Sequence, residues 1–329
     1  MAIKKYYEKD TNIKDIENET IGIIGYGIQG RNQALNLRDN GMNVLVSTRK
    51  DNTYDSIKTD GFKQYELKDL AKKSSIIMLL IPDQAQGEVF NQIKPFINKK
   101  SMLVTAHGYS LKFKEVLPKD DIDVILLAPR FPGAIVRKNF LDNKGTLAYF
   151  DVFQDFTNNA RRRGLALANA IGFTKSGSPI IHVSIDEETE IDLFIEQFLI
   201  PTFLNTIQTG FEVLKNSGYS PEVSLMELYT SGEIVGLLNE GIEIGLYSAF
   251  QNNTSPTCQF GVAESFKKII NDETKSIAKN ILKDIKNGNF TKRLNDEALK
   301  GYPNLKKFNR GNLENDLSIT QKYLLKNIK

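Results

Sequence analysis

Residues 20–30 read TIGIIGYGIQG, an apolar β-branched run ending in three glycines spaced G-x-G-x-x-G. Few short stretches restrict a fold as much. The run predicts a buried strand, and QALNLRDNG just after it predicts a helix ending at Gly41. In that setting Gly25 makes the tight turn, Gly27 lets the backbone approach a pyrophosphate, and Gly30 lets helix and strand pack closely. The helix N-terminus then faces the anion. The motif predicts a dinucleotide site; the alternative is a turn with a structural role only.

The next segments repeat the theme. NVLVSTR, SSIIMLLIP, SMLVTAHG, DVILLAP and TLAYFDV read as further strands, alternating with amphipathic helix-like runs. That pattern predicts an α/β Rossmann domain whose parallel sheet is covered by helices. After HVSID the chain reads as helix upon helix to Lys329. The expected division is residues 1–181 for nucleotide binding and 182–329 for an all-helical domain, and 329 residues suffice for both.

The bulk numbers exclude several classes. A net charge of +3 gives no reason to expect nucleic acid or an anionic membrane as partner. The run Arg161-Arg162-Arg163 is expected to be a solvated helix face. One cysteine, Cys258, allows neither an intrachain disulfide nor a cysteine-rich metal site. No apolar run reaches the ~18 residues of a membrane span. MAIKKYYEKD lacks a signal-peptide core, so a cytoplasmic protein is expected.

The second strand bears on the choice of nucleotide. An NAD site usually has an acid at that strand's end for the ribose 2′-hydroxyl. Here VSTRKDNT offers Ser47, Thr48, Arg49, Lys50 and Asn52, which suit a 2′-phosphate and predict NADPH. Asp51 and Asp55 keep NAD open.

A different signal lies in EIDLFIEQF, residues 190–198. As a helix it sets Asp192 and Glu196 on one face, with Leu193, Phe194 and Ile195 around most of the rest. Such a helix is expected to be buried nearly all round. Buried carboxylates must be paired or hold a metal, and the residues alone leave both open. Glu190 points elsewhere and is expected to be solvated or salt-bridged.

IGYGIQG, IPDQAQGEVF, TAHGYSL, APRFPG, DEETEIDLFIEQ and GFEVLKNSGYSPE, in that order, resemble ketol-acid reductoisomerase of the short form. The resemblance runs to about Gly261. It implies a knotted helical C-terminal domain and a homodimer in which both chains build each active site. It also implies NADPH, two Mg²⁺ ions and a small ketol-acid substrate. The implied reaction is alkyl migration in a 2-hydroxy-2-alkyl-3-keto acid, then reduction to a 2,3-dihydroxy acid for branched-chain amino acids. On matching positions, the implied cofactor residues are Gly25, Tyr26, Gly27, Gln29, Gly30, Arg49, Asn52, Asp83 and Gly133. Asp192 and Glu196 become metal ligands, and His107 becomes a catalytic residue near substrate and nicotinamide.

The chain departs from that pattern at three places. Two glutamates four apart are expected on a later helix, but Glu227 is followed by Ser231, and the next acid is Glu233. On a straight helix Glu233 would lie roughly 120° off the face of Glu227. A kink at Ser231-Gly232 would bring it round, so Glu227 and Glu233 are both candidate ligands, with a surface Glu233 as the alternative. Arg130, the second candidate catalytic residue, stands where the family usually has lysine; the positive charge survives, but a guanidinium does not readily release a proton and can only orient and neutralise. Ser255 matches the serine that meets the substrate carboxylate if a short insertion precedes it, with Ser248 as fallback. These departures leave two other readings open: a simple 2-keto-acid reductase, or a nucleotide-binding homologue without catalysis.

Overall fold

A computed structural model describes residues 3–50 and 53–327. The chain divides into two compact units, one running up to Ile191 and one from Asp192 onward. The first holds eight strands: β1 (Lys5–Tyr6), β2 (Thr20–Ile24), β3 (Asn43–Ser47), β4 (Ile76–Leu79), β5 (Met102–Thr105), β6 (Asp123–Pro129), β7 (Ala148–Gln154) and β8 (Ile180–His182). They form one sheet in the order β1-β8-β7-β6-β5-β4-β2-β3.

From β3 to β6 every pairing is parallel, as the apolar runs predict. The sheet then departs from a purely parallel one. β7 pairs antiparallel with β6, β8 runs parallel to β7, and β1 closes that edge antiparallel. Alternation along the strands feeds two cores. Ile21, Ile23, Ile76, Met78 and Val104 face one layer of helices, while Ile24, Ile77, Leu79, Leu103 and Leu126 face the other.

The helices of this unit are α1 (Ile28–Asp39), α2 (Tyr54–Thr59), α3 (Leu67–Lys73), α4 (Asp83–Ile93), α5 (Tyr109–Lys112), α6 (Gly133–Leu141) and α7 (Ala160–Ile171). Helix α8 (Ile185–Phe194) follows β8 and runs across the boundary between the units. One expectation fails on α7. Arg161 and Arg162 are exposed, but Arg163 is buried among acids and carbonyls at the N-terminal ends of the parallel strands.

The second unit is helical throughout: α9 (Ile200–Asn216), α10 (Pro221–Leu225), α11 (Glu233–Ile244), α12 (Leu246–Asn253), α13 (Pro256–Ile269), α14 (Asp272–Lys286), α15 (Asn289–Leu299), α16 (Pro303–Glu314) and α17 (Asp316–Asn327). Its own buried core is small, built on Phe211, Leu225 and Leu324. Large apolar side chains such as Val235, Ile242, Phe260 and Phe266 are exposed.

Two segments of π-helix interrupt the motif helices, at Ile195–Leu199 and Met226–Thr230. The second ends where the Ser231 N–H donates to the Met226 carbonyl, and Gly232 then adopts φ 90° before α11 begins. The helix is therefore interrupted at Ser231-Gly232. The straight-helix reckoning for Glu233 does not apply, because no continuous α-helix joins Glu227 to it.

Candidate active site

Parallel strands deliver their C-terminal ends to one edge of the sheet, and the loops there carry the predicted residues. The glycine-rich turn leaves β2, Arg49 follows β3, Asp83 opens the helix after β4, His107 follows β5, and Arg130 follows β6.

The turn has the physical properties its sequence demands. Gly25 sits at φ 101°, and a Cβ there would lie 2.4 Å from the Leu80 carbonyl oxygen. A Cβ on Gly30 would lie 1.9 Å from the Gly25 oxygen. A Cβ on Gly27 would meet nothing within 4 Å, so the turn has the open side a pyrophosphate requires. Neighbouring residues expected at the cofactor brace this turn. The buried Tyr26 hydroxyl donates to Asp60 at 2.9 Å, and Arg31 grips the same carboxylate at 2.6 and 2.9 Å. Burial first, and then the bond to Asp60, raises the Tyr26 pKa. Gln29 donates to the Phe131 carbonyl at 2.9 Å. Gly133 lets α6 approach α1 so closely that a Cβ would lie 1.8 Å from the Ile28 oxygen. Arg49 is exposed at the end of β3. Asn52 and Asp51 lie outside the described residues.

His107 is held by Asp83, whose Oδ2 is 3.0 Å from Nδ1. Asp83 also accepts from Gln86 at 3.1 Å, so the pair is itself positioned. An acid partner places the proton on Nδ1 and fixes the ring. Glu188 lies beside it on α8, 1% exposed. One carboxylate oxygen accepts the Gly108 N–H at 2.8 Å, and the other meets Arg130 at 3.2 Å. Arg130 also lies over the Tyr149 ring, 4.9 Å from its centroid. A buried anion needs such partners, and Arg130 supplies the charge.

Glu188 and Asp192 stand four residues apart on α8, so the helix itself fixes their spacing. His107, Glu188 and Asp192 each offer one ligand atom, and these atoms lie within 4.8 Å of one another. Among the described residues no other trio of such side chains could share a metal ion. The structure thus brings Asp192 to His107. Glu196, in the first π-segment, is exposed, as are Glu227 and Glu233. Ser255 is exposed and caps α13, its oxygen accepting from the Cys258 N–H at 3.4 Å. Ser248 is exposed on α12.

The helix of EIDLFIEQF is not buried all round as expected. Leu193 is buried, but Ile191 is 48% exposed and Ile195 39%. One face of α8 packs against the loop after β5, and the opposite apolar residues are left uncovered within a single chain. Glu190 is salt-bridged, to Lys112 at 2.9 Å. Two residues escaped the sequence reading. Glu188 follows the same four-residue spacing that picked out Glu196, but counted backward from Asp192. Lys112 carried no motif and is found only through its contacts with Asp186 and Glu190.

The family model for the acetohydroxy acid isomeroreductase NADPH-binding domain matches residues 15–177. That for the ketol-acid reductoisomerase C-terminal domain matches residues 185–329. The chain belongs to the ketol-acid reductoisomerase family. A solved NADH-preferring ketol-acid reductoisomerase from an uncultured archaeon superposes with TM-score 0.92 at 30% identity, over 99% of this chain and 99% of that one. Weaker likenesses show the fold alone. A semialdehyde dehydrogenase NAD-binding protein from Cupriavidus necator, solved with calcium and NAD, gives TM-score 0.63 at 15% identity over 82% of this chain and 99% of that one. A pyrroline carboxylate reductase from Plasmodium falciparum, solved with NADP, gives TM-score 0.54 at 16% identity over 82% and 98%. This ketol-acid reductoisomerase-like chain is a nicotinamide-dependent oxidoreductase of branched-chain amino-acid biosynthesis. Among its described residues no helix is long and apolar enough to cross a membrane.

Proposed function

We propose that the protein converts a 2-hydroxy-2-alkyl-3-keto acid of the 2-acetolactate type into a 2,3-dihydroxy acid, with NADPH and Mg²⁺. The observation that carries this reading is the meeting of His107, Glu188 and Asp192 at the nucleotide edge of the sheet. The two carboxylates suit Mg²⁺, which takes hard oxygen ligands, keeps several waters and needs few side chains, and the imidazole beside them is placed for proton transfer. Asp192 would hold the ion, with Glu196, Glu227 and Glu233 as the further acids for a pair of ions. When bound, Mg²⁺ acts as a Lewis acid on the substrate oxygens.

The chain's own groups supply the rest. His107, fixed by Asp83, takes or returns a proton at a substrate hydroxyl. Arg130 stays charged, so it neutralises and orients Glu188 and does not shuttle protons. Ser255 keeps its hydroxyl proton free to meet the substrate carboxylate, because the capping bond uses only its oxygen. The turn at Gly27 receives the pyrophosphate, and Arg49 favours the 2′-phosphate of NADPH over NADH. The uncovered apolar side chains of the second unit, together with exposed Glu227 and Glu233, support a homodimer that completes each site.

The test mixes protein, Mg²⁺ and 2-acetolactate with NADPH or NADH and follows nicotinamide absorbance. Expected are oxidation that requires Mg²⁺ and a lower KM for NADPH. In Asp192→Asn, turnover should collapse while NADPH binding persists. Turnover only with the pre-isomerised keto acid would select the simple reductase, and unchanged turnover in Asp192→Asn would remove that residue from the metal site.

A further inference from the structure

The segment from His107 to Lys112 sits astride α8. At about 100° per residue, Ile185 and Thr189 share a stripe; Glu188 lies about 80° to one side, and Asp186 and Glu190 about 80–120° to the other. Gly108 rests on the stripe itself. A Cβ there would come within 2.4 Å of Thr189 Oγ1 and 2.9 Å of the Ile185 carbonyl oxygen. On one flank the Gly108 N–H donates to Glu188 at 2.8 Å. On the other, Lys112 Nζ donates to Asp186 at 2.7 Å and Glu190 at 2.9 Å. The Lys112 side chain is only 11% exposed.

We infer that Lys112 is a positioning residue that sets the rotation of α8 about its axis, and so aims Glu188 and Asp192 at His107 and a divalent cation. The inference rests on the metal reading above. Its physical basis is leverage. A carboxylate at the helix surface lies about 6 Å from the axis, so a turn of about 10° moves it about 1 Å. That exceeds the ~0.5 Å within which a working site must hold its groups. Without Lys112, one flank of the grip is gone. Asp186 and Glu190, like charges four apart, then repel each other with no cation between them. Lys112 is not one of the three residues that offer ligand atoms, and its effect travels through the helix.

The experiment titrates Mn²⁺, as an EPR-visible stand-in for Mg²⁺, into wild type, Lys112→Met and Lys112→Arg, and measures NADPH affinity alongside. Expected is an affinity for Mn²⁺ lowered about tenfold or more in Lys112→Met, the size typical of groups that orient ligands. NADPH affinity should stay within about twofold, and Lys112→Arg, which can bridge the same two acids, should restore most of the loss. Wild-type Mn²⁺ affinity in Lys112→Met would overturn the inference. If that variant does not fold, Asp186→Asn with Glu190→Gln decides. It removes both charges that Lys112 grips, and the same loss of Mn²⁺ supports the inference while full affinity overturns it. A wild type that binds no Mn²⁺ would overturn the metal reading itself, and this inference with it.

Discussion

Replacing Arg163 with methionine should destabilise the first unit far more than any other substitution in its basic run. Arg163 uses all five of its N–H groups. Two go to Glu19, each at 2.7 Å, one to Asp123 at 2.7 Å, and two to the carbonyls of Lys100 and Ser75 at 3.1 and 3.2 Å. These partners precede or open β2, β4, β5 and β6, so one guanidinium ties together the N-terminal ends of four parallel strands. Burial works against its charge, but the bonds to Glu19 and Asp123 outweigh it and raise its pKa. Removing it strands Asp123, which is 0% exposed and would keep only Thr157, through its N–H at 2.9 Å and its hydroxyl at 2.7 Å. Breaking a buried pair costs about 3–5 kcal/mol, and the two Thr157 bonds argue for the lower end. At about 2–4 °C per kcal/mol for a unit of this size, Tm should fall by about 6–12 °C. Calorimetry would measure it, with Arg162→Met as the exposed control. Adding Asp123→Asn should recover part of the loss, because no charge is then left alone. NADPH affinity at 25 °C should hold, since the cluster lies at the sheet edge opposite the glycine-rich turn. A Tm within about 1 °C of wild type would refute the reasoning.

Two further outcomes follow from the nucleotide turn. Gly30→Ala should abolish NADPH binding, seen by fluorescence titration, because its Cβ would lie 1.9 Å from a backbone oxygen that cannot yield without opening the turn. Asp60 should make the fold acid-sensitive. The bond from Arg31, opposed by burial and aided by Tyr26, lowers its pKa. Its stabilisation is therefore full above the ordinary carboxylate pKa of about 3.9 and is lost as pH falls through the lowered value. The Tm gap between wild type and Asp60→Asn should narrow on acidification below about pH 4, and a gap independent of pH would contradict the assignment.

Much of this protein is written in local sequence. The strand–glycine–helix turn at 20–30 specifies its geometry through the positive φ of Gly25 and the close approach at Gly30, and the apolar runs at 76–79 and 102–105 specify theirs through burial on both faces. The sequence singles out His107, Arg130 and Asp192 as candidates because they stand beside such features or within a specific motif. What the sequence could not show are contacts between residues distant along the chain. Arg163 lies in a run that reads as surface, and only the convergence of four strand ends buries it. Glu188 and Asp186 both read as ordinary acids at the start of a helix. The tertiary structure alone separates them, because the segment carrying Gly108 and, at the end of α5, Lys112 packs on one stripe of that helix, burying one carboxylate beside His107 and leaving the other 75% exposed at the rim. Periodicity gives the angles around a helix axis, but the zero of that rotation is set by what the helix packs against.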